Sequence, residues 1–174
     1  HIFYEAFIGI LFKGTIMFSN AFWMMDKLFL SMFLNLYLGL ASRKSSKKVF
    51  FIYLFAAAIF LFVGTPYYYL AAVAGSFIAY IDKNHPFNRP AIATILFFIG
   101  IFIGGYPTLI VPQGGLYRLV YFDGVKNPAM LYHIIGASLI IFGIMNSAIL
   151  QRLLTLKPFL FLGKVSYSLY LIHI

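Results

Sequence analysis

Ser166, Tyr170 and His173 recur at steps of four and then three residues, a spacing that places them on one face of a helix. The run that carries them, Leu162 to Ile174, reads LGKVSYSLYLIHI and is otherwise apolar enough to lie in a bilayer. In hydrocarbon, a hydroxyl, a phenol and an imidazole are costly unless they meet a bundle interior or a wet cavity. The stripe is therefore expected to face protein or substrate. A neutral imidazole can accept a proton or donate a hydrogen bond. Ser166 lies two turns from His173, about 10 Å along the axis, too far for that imidazole to activate it as a nucleophile. Positioning is the chemistry that fits the stripe; packing is the plain alternative for His173.

Other polar groups are few. His133 falls near the start of an apolar run, where a packing or hydrogen-bonding role outweighs catalysis. Asp26 and Lys27 fall just inside another apolar run. They read either as a site facing the bundle or, slightly ahead, as an interfacial pair that snorkels to headgroups beside Trp23. The remaining acids, Glu5, Asp82 and Asp123, sit at the edges of apolar runs or in loops, so neither a metal site nor a two-carboxylate mechanism is expected. Cysteine is absent, which removes disulfides and thiolate ligands. There is no phosphate-binding glycine loop and no His–Glu zinc pattern. Arg152, Lys157 and Lys164 form a basic edge that could meet phosphates of lipid or of a large acyl donor, although topology alone accounts for them.

The elements that must position these groups follow from composition. Hydrophobic residues make up 63% of the 174 and charged ones 10%, far from the balance of a soluble domain. The fold class expected is all-α: a polytopic transmembrane helix bundle with the bilayer as its first partner. Apolar runs able to cross about 30 Å of hydrocarbon fall near 21–41, 49–63, 67–81, 91–111, 129–150 and 159–174, giving about six spans. The net charge of +9 would suggest nucleic acid in a soluble protein. Here the cations lie between the apolar runs, so topology explains them and no nucleic-acid partner is expected. If the first span runs from outside to inside, Arg43, Lys44, Lys47 and Lys48, then Lys83 and Arg89, then Arg152 and Lys157 are all inside, and only Arg118 and Lys126 face out. Loop 42–48 is then cytosolic. Residues 1–20, interrupted by Glu5, Lys13 and Ser19, read as an interfacial or outer-loop segment, and 21–174 as the transmembrane domain. A start at His1 and an end in mid-run suggest a domain truncated at both ends.

The segment from about Gly136 to His173, with NSAILQRLLTLKPFLFLGKVSYSLYLIH at its heart, resembles the C-terminal end of the acyltransferase 3 family, multi-pass membrane enzymes that acylate hydroxyl groups. A Leu-Gly-Lys/Arg step followed by a Ser-Tyr-Ser-Leu-Tyr-Leu-hydrophobic-His run marks that family, and Leu162, Gly163, Lys164, Ser166, Tyr167, Ser168, Leu169, Tyr170, Leu171 and His173 match it in order. Gly104-Gly105-Tyr106-Pro107 is similar to a Gly-x-Tyr-Pro step outside a middle span of some members. Asn20-Ala21-Phe22-Trp23 resembles an upstream family element that continues with Thr or Ser and then a Glu five residues after the Trp. This chain has Met24 and Leu28 at those places, with Asp26 two positions early.

The resemblance implies transfer of an acyl group from a donor such as acyl-CoA to a hydroxyl acceptor, a carbohydrate or another small molecule, with no bound cofactor. Family members carry an Arg and a His on a first helix to which nothing here corresponds, so the expected general base lies upstream of this chain and its catalytic residues are unknown. Trp23, Ser166, Tyr170 and His173 are the substrate-lining candidates. A non-catalytic scaffold subunit of the same descent is the alternative, and a transporter a weaker one.

Overall fold

Pro90 and Pro128 each open a helix at the position where a missing N–H costs nothing and a fixed φ helps. The computed structural model describes residues 25–43, 48–62, 67–84, 87–108, 115–120 and 127–172. Among these residues every regular element is α-helical: α1 Met25–Arg43, α2 Val49–Phe62, α3 Tyr68–Asn84, α4 Pro90–Gly104, α5 Leu116–Leu119, α6 Pro128–Met145, α7 Ala148–Leu154 and α8 Lys157–Ile172. The all-α class expected from the sequence is what the fold has. Among the described residues one helix, α6, is long and apolar enough to cross a membrane, and Val49–Leu61 and Pro90–Gly104 are apolar but shorter.

Each of the apolar runs read from the sequence is helical over most of its described length, with two differences. The run 91–111 leaves the helix at Gly104, seven residues early. The run 129–150 is broken between α6 and α7. Asn146 and Ser147 compete with the backbone for its hydrogen bonds. The Asn146 amide donates to the Phe142 carbonyl at 3.0 Å, and Gln151 reaches back to the Ile144 and Met145 carbonyls at 3.0 and 2.8 Å. Those are the orphan acceptors of a helix end. Ser147 accepts from Leu150 N at 3.5 Å and caps α7. At the other end of α6, the Asn127 side chain accepts from Met130 N at 3.1 Å, a regular N-cap.

Two packing units result. In the first, α2 lies antiparallel to α1 and α3 around Leu38, Val49, Tyr53 and Val73, with the Tyr53 hydroxyl 2.9 Å from Ser76 Oγ. In the second, α4 and α6 run antiparallel with their backbones in contact. A Cβ on Gly136 would lie 2.5 Å from Gly104 N and 2.8 Å from the Gly100 oxygen, and one on Gly143 would lie 2.8 Å from the Ala93 oxygen. Close approach of this kind is how small residues join helices where no hydrophobic effect drives them. Helix α3 bridges the units through α6.

Much of the apolar surface faces outward, as at Phe51 (67% exposed), Phe55 (69%) and Ile149 (71%), more than a soluble fold tolerates as scattered residues. The antiparallel register gathers Lys48, Lys83, Arg89 and Arg152 at one end of the bundle, and Lys27, Tyr68, Tyr106 and His133 at the other.

Gly136→Leu should therefore force α4 and α6 apart and lower stability by about 1–3 kcal/mol, whereas Gly163→Ala, where nothing lies within 4 Å, should leave it unchanged or raised. Thermal unfolding of the two purified variants checks the contrast; equal losses would contradict the contact.

Candidate functional site

The polar groups of α1 recur at Lys27, Ser31 and Asn35, steps of four that line one face of the helix. That face meets α3 at Tyr68, Ala71 and Ala72, where the small alanines leave a cavity of about 440 Å³ open to the outside. Lys27 and Asp26 form an ion pair at 2.8 Å with side chains 21% and 17% exposed, and the ammonium stands 5.8 Å from the centroid of the Tyr68 ring. Both side chains are half-buried, and Lys27 lines the cavity. An ammonium, an amide and a hydroxyl in one cleft offer both donors and acceptors, and Tyr68 adds an aromatic face. Such a set suits a neutral hydroxylated ligand. Leu28, at the place where the family resemblance calls for Glu, lines the same cleft.

Of the candidates read from the sequence, Trp23 and His173 lie outside the described residues, as does the side chain of Tyr170. Ser166 is described and exposed, its hydroxyl donating back to the Gly163 carbonyl at 2.9 Å. The side chains from Lys157 to Lys164 on the same helix are exposed as well. The cleft residues Ser31 and Asn35 were not singled out by sequence reasoning, and Tyr68 reads from the sequence only as an interface anchor beside Tyr67 and Tyr69. Their signal was the step of four beginning at Lys27, visible in the chain but weak until α3 supplies the opposite wall.

A second polar cluster caps the same end of the bundle. His133 Nε2 lies 2.8 Å from the Tyr106 carbonyl oxygen; a carbonyl only accepts, so Nε2 carries the proton. The bond ties the loop after α4 to α6, a structural role of the kind the sequence favoured for His133. Tyr106 meets Tyr132 at a 33° tilt with ring centroids 4.5 Å apart, and the edge of Tyr117 at 5.7 Å. Its hydroxyl is buried without a partner among the described residues. Tyr117 and Tyr132 donate to the carbonyls of Phe102 and Val120, which holds α5 against this end. Among the described residues no three His, Asp or Glu side chains gather as a metal site would need.

No protein-family model, curated protein or solved structure matches the chain.

His133→Phe should loosen the α4–α6 end by about 0.5–1 kcal/mol, the usual worth of such a bond between helices, while Tyr106→Phe, which removes only an unpartnered hydroxyl, should not destabilise. Melting temperatures of the purified variants give the comparison.

Proposed function

We propose that the chain is part of a polytopic membrane acyltransferase that moves an acyl group from a donor such as acyl-CoA to a hydroxyl acceptor. The observation that carries the activity is the run from Leu162 to His173 with its Leu-Gly-Lys step and Ser166, Tyr170 and His173, which resembles the acyltransferase 3 signature. The cleft between α1 and α3 supports an acceptor site. Its polar groups match a polyol, and it sits at the end of the bundle away from Lys48, Lys83, Arg89 and Arg152.

In this reading about six spans cross the bilayer with loop 42–48 on the cytosolic side, because cations favour that face. The acceptor hydroxyl attacks the thioester carbonyl, a base removes its proton, and the tetrahedral oxyanion collapses with loss of the thiolate. By the resemblance, the base belongs to a helix preceding His1. This chain's part is to orient the acceptor through Ser31, Asn35 and the paired Lys27, with Trp23, Ser166, Tyr170 and His173 as further lining.

A scaffold role is the second reading. Leu28 favours it, because an apolar side chain stands in the cleft where the family element has a carboxylate. The transporter alternative predicts ion flux from proteoliposomes.

Two measurements test the proposal in the intact protein. Cysteines placed at Ser45 and Gly115 in this cysteine-free chain should react from opposite sides of the membrane; labelling from one side would remove the six-span arrangement. With labelled acyl-CoA and hydroxylated acceptors, Asn35→Leu should raise the acceptor KM roughly fivefold to tenfold through lost hydrogen bonds, with donor KM unchanged. No transfer by the parent protein, together with transfer gained in Leu28→Glu, would establish the scaffold reading instead.

A further inference from the structure

Asp26 stands one residue before Lys27, and so about 100° round α1 from the stripe of Lys27, Ser31 and Asn35. Lys27 lines the polar cleft and Asp26 does not. Neighbours in sequence do not ordinarily face each other on a helix, yet both carboxylate oxygens accept from the ammonium, Oδ1 at 2.8 Å and Oδ2 at 3.0 Å. The pair is therefore an oriented dipole, its positive end at the cavity and its carboxylate to the side of it. Its net charge is zero.

The walls give that arrangement weight. Among the described residues, Lys27 is the one fully charged side chain that lines the cleft. Helix α3 divides the cleft from a second, apolar space: Tyr68, Ala71 and Ala72 face the cleft, whereas Leu70, Val73, Ala74 and Phe77 line a groove on the far side. An apolar wall of this kind screens a charge less than water does and focuses its field into the opening. A lone ammonium there, in the membrane reading above, would be a cation at a bilayer surface. Phosphates and carboxylates pair strongly with such a group, and those of lipid headgroups are the nearest at hand. Beside Asp26 the same ammonium offers hydrogen-bond polarity without a net charge, and Ser31 and Asn35 add only neutral donors and acceptors.

We propose that Asp26 is the specificity-determining residue of the cleft: by neutralising Lys27 it admits neutral polyhydroxylated ligands and turns away anionic ones, headgroup phosphates included. It acts through Lys27 and touches no ligand, so it is a positioning residue. That the ligand is a polyol rests on the acceptor reading above; the charge preference rests on the ion pair alone.

The test uses the full chain in phosphatidylcholine nanodiscs. Ala71→Cys supplies the single thiol of this cysteine-free chain inside the cleft. Leu119→Cys, at a position 83% exposed near the same end of the bundle, supplies one outside it. Each thiol is timed against two methanethiosulfonates of similar size, the anionic sulfonatoethyl and the cationic trimethylammonium-ethyl reagent. Asp26→Asn should raise the anionic-to-cationic rate ratio at Ala71→Cys by roughly tenfold, the effect of one uncompensated charge across a space of this size, and leave the ratio at Leu119→Cys unchanged. Lys27→Gln should lower the ratio in the cleft by a similar factor, and the double variant should restore it, so the answer does not hang on the folding of one variant. Sorbitol and gluconate, polyols of equal chain length, then read the ligand preference by protecting Ala71→Cys from an uncharged maleimide: sorbitol should protect better with Asp26 present, gluconate with Asp26→Asn. Two results would overturn the proposal: cleft ratios that stay put in the single variants, or gluconate protecting as well as sorbitol while Asp26 is present. Ratios that move as expected with neither polyol protecting would uphold the charge preference and remove the acceptor reading.

Discussion

Backbone contact between α4 and α6 is the constraint on which the rest of the bundle depends. Gly100, Gly104, Gly136 and Gly143 let two helices approach until main-chain atoms touch, and that fixes their register. At one end the register brings Thr94 to Ser147, 2.9 Å between hydroxyls, with Thr94 donating onward to the Pro90 carbonyl. Ser147 is fully buried there, and the same residue starts α7. At the other end it brings His133 under the Tyr106 carbonyl. Both polar junctions are consequences of where the glycines sit. Interfaces of this kind gain from van der Waals contact and well-directed hydrogen bonds more than from burial of apolar area, which suits a molecule whose large side chains so often point outward.

The helices were legible in the sequence because apolar runs bounded by Pro, Gly and cations carry their own limits. Val49–Phe62 and Lys157–Ile172 fall within two residues of the run boundaries where the helices are described. The break at Asn146-Ser147 was not foreseen. Asn146 and Gln151 donate to carbonyls of the preceding turn, and Ser147 caps the turn that follows. Hydropathy averages over such residues, and capping depends on single hydrogen bonds. Of the site, the terminal stripe was conspicuous by composition, and the described part of it, Ser166, is turned back on its own helix. The step from Lys27 to Ser31 to Asn35 was equally present, but three weak polar signals on one helix acquire meaning only against a partner. That partner, α3, comes more than 30 residues later.

Charge and polarity are distributed by end as well as by face. The ion pair of Asp26 and Lys27 is internally neutral, so the cleft beside it carries little net field, while the opposite end is strongly cationic. Ligands of different charge would thus be sorted before any contact forms, since exposed charge acts over about 8–10 Å at physiological salt. Neutral and anionic molecules need not compete for one surface.

The division made by α3 has a consequence for how the protein can vary. The two spaces on its faces share the helix, yet no side chain lines both. Substitutions that do not share a partner combine almost additively in free energy. One face could then drift while the other kept its shape, with little epistasis between changes that lie well apart. A helix rich in alanine is in this sense a party wall: it borders two spaces and leaves each free to be reshaped alone.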